Sequence, residues 1–237
     1  MRQLLIKFPK LTGPLRSYYN MFFGEKEIKF LNNYLKINKL DYLFIDVGAN
    51  YGIYTFLFGP QSIFSFIIEP IYECIEYIKS GYSNQNIKFI NKVASDDNAI
   101  KSLSIPLEGN KKIFGRSSLS KSFDNFIKLD IDSIRLDELI EEVIKHNFEI
   151  LFIKIDVEGH ENNVIDGSIK LIEDRKSLLL IEIEKRHNSK YELIYNKLKN
   201  LGFISFYIEK NKLIKINNLK ELEDSMEKTI NFVFKNF

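Results

Sequence analysis

The sequence predicts an α/β fold, and three observations predict it. The first is the stretch from Tyr42 to Phe58. There the β-forming residues Leu43 to Ile45 lead to an acid, Asp46, and then turn through Gly48 and Gly52 into a second apolar segment, Ile53 to Phe58. The second is Ser62 to Pro70, a buried strand that ends in another acid, Glu69, 23 residues beyond Asp46. The third is Glu149 to Glu161, where a strand over Ile150 to Ile155 runs into Asp156, Glu158, His160 and Glu161. An open α/β sheet binds its ligand outside the carboxyl ends of its strands, so acid-tipped strands mark a crevice.

Length and composition frame the rest. At 237 residues with 45% hydrophobic content, one α/β domain with a full core is expected. The net charge of +2 gives no electrostatic case for nucleic acid or an anionic membrane surface. A single cysteine, Cys74, excludes an internal disulfide framework and a cysteine-rich metal site, and fits a cytoplasmic protein. Leu4 to Ile6 is too short an apolar run for a signal peptide, and no stretch approaches the ~20 apolar residues of a membrane span.

Taken in order, Ser17 to Asn38 reads as a helix with Phe22, Phe23, Ile28, Phe30, Leu31, Tyr34 and Leu35 on a broad apolar face. Residues 1–38 are expected to form an N-terminal helical cap, with one domain over 39–237. Aromatic stripes on helices are usually core, so this helix reads as cover for an edge or mouth of the domain. The sharper alternative has Tyr18, Tyr19 and Phe22 lining the substrate pocket or a homodimer contact.

The glycine turn narrows the ligand. Gly48-x-x-x-Gly52 lacks the third glycine of the dinucleotide fingerprint, and no Gly-Lys-Ser/Thr follows for a phosphate loop. An acid just before the turn repels a pyrophosphate but suits a cationic ligand end. S-adenosylmethionine carries both an ammonium and a sulfonium, so it fits better than NAD or ATP. Asp46, Gly48, Ala49, Asn50, Gly52 and Tyr54 are the candidate binding residues; the competing reading is a tight strand–helix turn alone. Glu69 has nearly the spacing of a carboxylate that grips a ribose, where two hydroxyl hydrogen bonds are accepted at once, and Pro70 ends its strand.

A helix over Tyr72 to Ser80, closed by Gly81, carries Cys74 as inert filling. A third strand, Ile87 to Ala94, delivers Ser95 and Asp96 to where a short polar side chain reaches an adenine amino group. Lys101 to Leu107 alternates like a short antiparallel excursion. Glu108 to Asp124 is long and polar, with Gly115, Arg116, Ser117 and Ser118 at its centre. Such loops are commonly functional or mobile, so it reads either as a lid, with Arg116 and Ser117 touching the acceptor, or as a disordered surface loop. Asp137, after Ile131 to Leu136, is placed to cap a helix over Glu138 to His146, with His146 structural at its end.

Lys154 is unusual in a central strand unless a carboxylate partners it. A helix over Asn162 to Asp174 and a fifth strand over Leu178 to Glu184 follow; Glu182 and Glu184 end that strand, ahead of Lys185, Arg186 and His187. A helix over Tyr191 to Asn200, closed by Gly202, and strands over Phe203 to Glu209, Lys212 to Ile216 and Thr229 to Phe234 complete the sheet, partly antiparallel.

In this order, Asp46-Val-Gly-Ala-Asn-x-Gly52, Glu69-Pro70, Val93-Ala-Ser-Asp96, Gly115-x-Ser-Ser118, Leu136-Asp137, Lys154-Ile-Asp-Val-Glu-Gly159 and Ile181-Glu182 resemble the FkbM family of S-adenosylmethionine-dependent methyltransferases, over about residues 40 to 185. The resemblance implies the class I methyltransferase fold, a Rossmann-like seven-stranded and mostly parallel sheet in the order 3-2-1-4-5-7-6 with helices on both faces. It implies O-methylation of a hydroxyl, often on a surface-glycan sugar or a natural product. A small residue is common where this chain has His160.

Methyl transfer to an alcohol needs a group that takes the hydroxyl proton. Asp156, Glu182, His160 and His187 are the bases on offer, with Lys154 beside them and Glu158 facing the acceptor. A carboxylate is a weak base for an alcohol, so Mg²⁺ held by Asp156 and Glu182 is an open alternative. The expected acceptor is a sugar nucleotide or polymer-bound precursor of a bacterial capsule or lipopolysaccharide. A small natural product as acceptor, or a non-catalytic S-adenosylmethionine-binding partner protein, are the alternatives.

Overall fold

A computed structural model describes residues 8–120, 123–186, 188 and 190–237. The chain opens with two helices, α1 (Pro9–Phe23) and α2 (Lys26–Ile37). The single helix expected from Ser17 to Asn38 is broken because Gly24 and Glu25 leave helical geometry between them. Helix α2 buries Ile28, Leu31 and Leu35 against Tyr42 and Phe44 of strand β1 (Tyr42–Val47). Helix α1 is turned the other way: Thr12, Gly13 and Ser17 face the protein, while Tyr18, Tyr19, Phe22 and Phe23 are exposed. The expectation that these aromatics are core is therefore wrong, and none of them lines the cavity described below. Periodicity finds a stripe but not which side of the helix meets the protein. Close approach decides it, because a Cβ at Gly13 would overlap the ring of Phe56.

Beyond β1 come α3 (Ile53–Phe58), β2 (Phe64–Ile68), α4 (Tyr72–Gly81) and β3 (Ile87–Ile90). The strand expected over Ile87 to Ala94 is two strands. The chain leaves the main sheet after β3, and β4 (Val93–Ala94) starts a second one. That sheet is completed by β5 (Ile100–Glu108), β6 (Lys111–Lys112) and β7 (Phe126–Ile134), in the order β4-β7-β5-β6. Strand β7 was not expected, since Lys128, Asp130 and Asp132 alternate on its exposed face and dilute its apolar signal.

The helix expected over Glu138 to His146 shrinks to a 3₁₀ turn at Leu136–Leu139 and α5 (Ile140–Val143). His146 is structural as expected, its ring stacked on Phe64 at 4.2 Å. After β8 (Ile150–Ile155), α6 (Glu161–Asp166) and α7 (Ile169–Glu173) replace the single helix expected over Asn162 to Asp174. Their break holds Gly167, where a Cβ would overlap the Ser95 carbonyl oxygen. Asp137 caps α7 instead of its own helix, as its Oδ1 accepts the Leu171 N–H at 3.0 Å. Strand β9 (Ser177–Glu182) ends two residues before the expected Glu184. The tail adds α8 (Tyr191–Asn200), β10 (Ile204–Glu209), β11 (Lys212–Ile216), α9 (Leu219–Ser225) and β12 (Asn231–Lys235).

The main sheet runs β3-β2-β1-β8-β9-β12-β10-β11. The first five strands are parallel, and the last three join antiparallel. Its first seven strands follow the expected 3-2-1-4-5-7-6 order; β11, read from the residues as a strand over Lys212 to Ile216, is an eighth beyond the seven that the family resemblance implies. Strands β1 and β8 are buried at every position because both faces of the sheet are covered, which is why they read as unbroken apolar runs. Ile45, Ile153 and Leu179 pack on one side, and Phe44, Phe152 and Leu178 on the other. The parallel strands therefore deliver Val47, Ile68, Ile155 and Glu182 to one edge. Among the described residues no helix is long and apolar enough to cross a membrane.

Candidate active site

The site starts with the turn between β1 and α3. Gly48 and Gly52 take φ values of +74° and +73°, the left-handed region that glycine enters without strain. At Gly48 space decides as well, because a Cβ would overlap the Asp156 carbonyl oxygen. The tips of β1 and β8 therefore close on each other, and the Asp156 N–H donates to the Val47 carbonyl at 3.1 Å. The Asn50 N–H donates to Glu69 Oε2 at 2.7 Å and the Ile71 N–H to Oε1 at 2.9 Å. These bonds fix the Glu69 carboxylate at the tip of β2. Burial pushes Glu69 up to about 7 in spite of both donors.

A cavity lies beyond these tips. Gly48, Asn50, Glu69, Pro70, Ala94, Asp156, Glu158 and His160 line it, and Leu103, Phe114, Gly115, Ser117 and Leu119 close it from the second sheet and the segment that follows. That segment is tethered. Ser118 Oγ donates to the Glu158 carbonyl at 2.7 Å and Ser120 Oγ to the Gly159 carbonyl at 3.2 Å. Ser118 also forms an antiparallel bridge with Ser104, and Phe114 packs beside Tyr51 with ring centroids 6.3 Å apart. Arg116 is exposed, 3.9 Å from Glu108, and does not line the cavity. Ser117 does line it, with a buried Oγ that has no hydrogen-bond partner among the described residues.

Several expected cofactor residues stand behind the cavity wall. Asp46 is buried and accepts a hydrogen bond from Thr55 Oγ1 at 2.6 Å. Across the β1–β8 pairing its partner is Lys154. Burial pushes Asp46 up to about 6, with Lys154 pulling the other way. Tyr54 lies under Lys154, whose Nζ is 5.0 Å from the ring centroid, and its hydroxyl donates to Glu25. Ala49 packs with Phe56 and Tyr77. The Gly52 N–H donates to the Ala49 carbonyl at 2.8 Å, closing the turn. Cys74 is buried with Ile71, Leu103 and Ile105, and burial pushes its thiol up, as inert filling requires.

Ser95 and Asp96, expected at the cofactor, do not line the cavity; they touch His160, which does. Ser95 Oγ donates to Asp96 Oδ1 at 2.9 Å and sits 2.9 Å from His160 Nε2. With the serine proton on Asp96, the imidazole supplies the other proton from Nε2. Burial raises Asp96, but hydrogen bonds from Asn163 and Ser95 outweigh it and hold the group below its ordinary value. Burial pushes His160 down to about 4, so it is neutral near pH 7.

The chemistry is concentrated at the tips of β8 and β9. Lys154 Nζ is 2.6 Å from Asp156 Oδ2. Asp156, Glu158 and Glu182 each bring one carboxylate oxygen within 4.8 Å of the others. Burial, and then the charge of Asp156, push Glu182 up to about 8 against the pull of Lys154. Burial by itself would lower Lys154, but Asp156 and Asp46 outweigh it and its ammonium is held above the ordinary value. Glu158 and Gly159 take φ of +51° and +99°, which bends the strand exit back over the cavity. His187, expected among the bases, lies outside the described residues.

The sequence reading placed Glu158 with the acceptor and did not join it to Asp156 and Glu182. It also missed the apolar closure by Leu103, Phe114 and Leu119. The alternation over Lys101 to Leu107, which sets Leu103 and Ile105 on one face, was the available signal.

The sequence matches the model of the methyltransferase FkbM domain over residues 46–205. The chain belongs to the FkbM methyltransferase family. No curated protein matches it. Its fold is similar to that of the FkbM methyltransferase of Methylobacillus flagellatus KT, with a TM-score of 0.52 and 16% identity over 98% of this chain and 57% of that one. The chain thus spans little more than half the length of that protein. A Streptococcus mutans protein in complex with SAH is similar at a TM-score of 0.47 and 11% identity, over 88% of this chain and 97% of that one.

S-adenosylmethionine is the cofactor of the FkbM family, and the residues present fit it. Glu69 keeps lone pairs beyond the two N–H donors and can accept diol hydroxyls. Ala94, Leu103, Phe114 and Leu119 offer apolar walls for a flat base, and the Ser117 hydroxyl is a buried polar group still to be matched.

Proposed function

We propose that this protein is an S-adenosylmethionine-dependent O-methyltransferase. Its acceptor is a hydroxyl of a sugar, on a nucleotide-linked or polymer-bound precursor of a bacterial capsule or lipopolysaccharide, methylated in the cytoplasm. The observation that carries the reading is the set of carboxylates at Asp156, Glu158 and Glu182, within 4.8 Å of one another, of which Asp156 and Glu158 line the cavity. Carboxylates accept hydrogen bonds from hydroxyls and so suit a polyol acceptor. The sugar itself is what the FkbM resemblance implies.

S-adenosylmethionine supplies a methyl group on a sulfonium. The chain's residues hold the acceptor and move its proton. Lys154 anchors Asp156, and Asp156 with Glu158 orients the hydroxyl. Glu182 takes the proton, because its raised pKa makes its charged form a stronger base than an ordinary carboxylate. Orientation contributes up to about 7–11 kcal/mol in well-aligned cases, and a general base roughly 10²–10⁴-fold.

The same three carboxylates favour a second reading. They would hold Mg²⁺, a hard cation that takes oxygen donors and lowers the pKa of a hydroxyl beside it. A labelled-methyl assay over a panel of nucleotide sugars and small hydroxylated natural products, with and without excess EDTA, tests both. Transfer that survives EDTA removes the metal reading. Transfer only to a small natural product removes the sugar. Binding of the donor with no transfer to any acceptor leaves a non-catalytic binding protein.

A further inference from the structure

Helix α1 carries an apolar seam that faces away from its own domain. Phe8, Leu11, Leu15, Tyr18 and Phe22 are spaced by alternating steps of three and four, the a/d repeat of a helix that packs against another helix. Seven large apolar side chains of residues 8–23 are between 54% and 78% exposed. At about 60% of roughly 200 Å² each, they present roughly 800 Å² of apolar surface. A monomer rarely shows more than a few hundred, and 800 Å² is one side of a standard protein interface.

We propose that this face pairs with the same face of a second copy of the chain, α1 against α1 in antiparallel register. The positions flanking the seam are Thr12, Pro14, Tyr19 and Met21, none of them charged, and a cation approaches the seam at one end, where Lys29 Nζ lies 6.0 Å from the Phe22 ring centroid. A helix that lay on an anionic membrane would instead carry Lys or Arg along these flanks. Direction follows from the helix ends. Helix α1 has no acid in its first turn and no base in its last, so the partial charges of its dipole have no side-chain counterpart. An antiparallel neighbour sets the positive end of each helix beside the negative end of the other. The two-fold axis then passes by Leu15, midway between Phe8 and Phe22.

Sedimentation of the full chain across a concentration series tests the pairing. The wild-type protein runs at twice the chain mass, and Leu15→Glu runs at the chain mass with unchanged far-UV circular dichroism. Mixing Leu15→Glu with Leu15→Lys restores the double mass, since the two charges face each other across the axis. Under mild oxidation Leu15→Cys cross-links to itself, whereas Phe8→Cys does so only when mixed with Phe22→Cys. A wild-type protein that stays at the chain mass at every concentration overturns the proposal, as does one that stays at the chain mass and sediments with anionic vesicles. Self-cross-linking of Phe8→Cys alone overturns the antiparallel register.

Discussion

Lys154 and Asp156, two residues apart at the end of β8, project to the same side and meet at 2.6 Å, with the lysine side chain almost wholly buried. Asp46 faces the same ammonium from β1. One cation therefore serves two strand tips, and Glu182 on β9 also feels it.

Lys154→Met removes that cation and leaves the acids facing one another. Breaking a buried pair by deleting one partner costs about 3–5 kcal/mol, and the lower end applies because the Asp156 side chain is 34% exposed. Urea unfolding at pH 7 measures the loss, which shrinks at pH 5 as Asp46, raised to about 6 by burial, takes up its proton. A midpoint equal to wild type at pH 7 rules out the role given to Lys154.

Glu182→Gln keeps the shape of the β9 tip and removes the base. Methyl transfer drops by roughly 10²–10⁴-fold while S-adenosylmethionine binding, read by calorimetry, stays within a few-fold. Wild-type turnover rises with pH through about 8, where Glu182 loses its proton, and the variant lacks that limb.

Stability of the ligand-free protein falls as pH rises above about 6.5. Burial raises Asp46 to about 6, Glu69 to about 7 and Glu182 to about 8, so the folded chain holds protons that the unfolded chain has released. Their contribution is complete below about pH 4 and is lost as the pH rises through about 6, 7 and 8 in turn, Glu182 last. His160, lowered to about 4, acts in the opposite sense between pH 4 and 6.5, because there the unfolded chain binds the extra proton. Above 6.5 the three raised carboxylates set the sign. Melting temperature against pH checks the sign, and a rise from pH 6.5 to 8 refutes it.

Two glycine variants separate backbone strain from overlap. Gly109→Ala meets nothing within 4 Å and bears only the left-handed φ of +59°, a cost of about 1–2 kcal/mol. Gly48→Ala adds overlap with the Asp156 carbonyl and costs more than about 4 kcal/mol, with S-adenosylmethionine binding lost. Equal melting temperatures for the two proteins would contradict this account of the turn.

The parallel core was legible because burial on both faces leaves a plain trace: Tyr42–Val47 and Ile150–Ile155 are unbroken apolar runs that end in acids. Glu69 and Asp156 were found at the cavity for the same reason, being the residues just past such runs. Asp46 was read as a ligand contact and sits behind the wall, since a strand-end position does not say which way its side chain points. Strand β7 was missed because its exposed face alternates Lys128, Asp130 and Asp132. The partnership of Ser118 with Glu158 spans 40 residues and depends on a loop path that no local pattern records. The outward seam of α1 was mistaken for core because inward and outward stripes share one periodicity.

The four-stranded sheet consists of residues between β3 and β8, yet it supplies Leu103 and, with the segment beyond β6, Phe114 and Leu119 to the cavity. The parallel strand tips supply the acids, so ceiling and floor come from separate stretches of chain. Length or side-chain changes in the insert can then reshape what fits beneath it without moving Glu69, Asp156 or Glu182, so the wall that meets a ligand is exchangeable while the acids stay fixed.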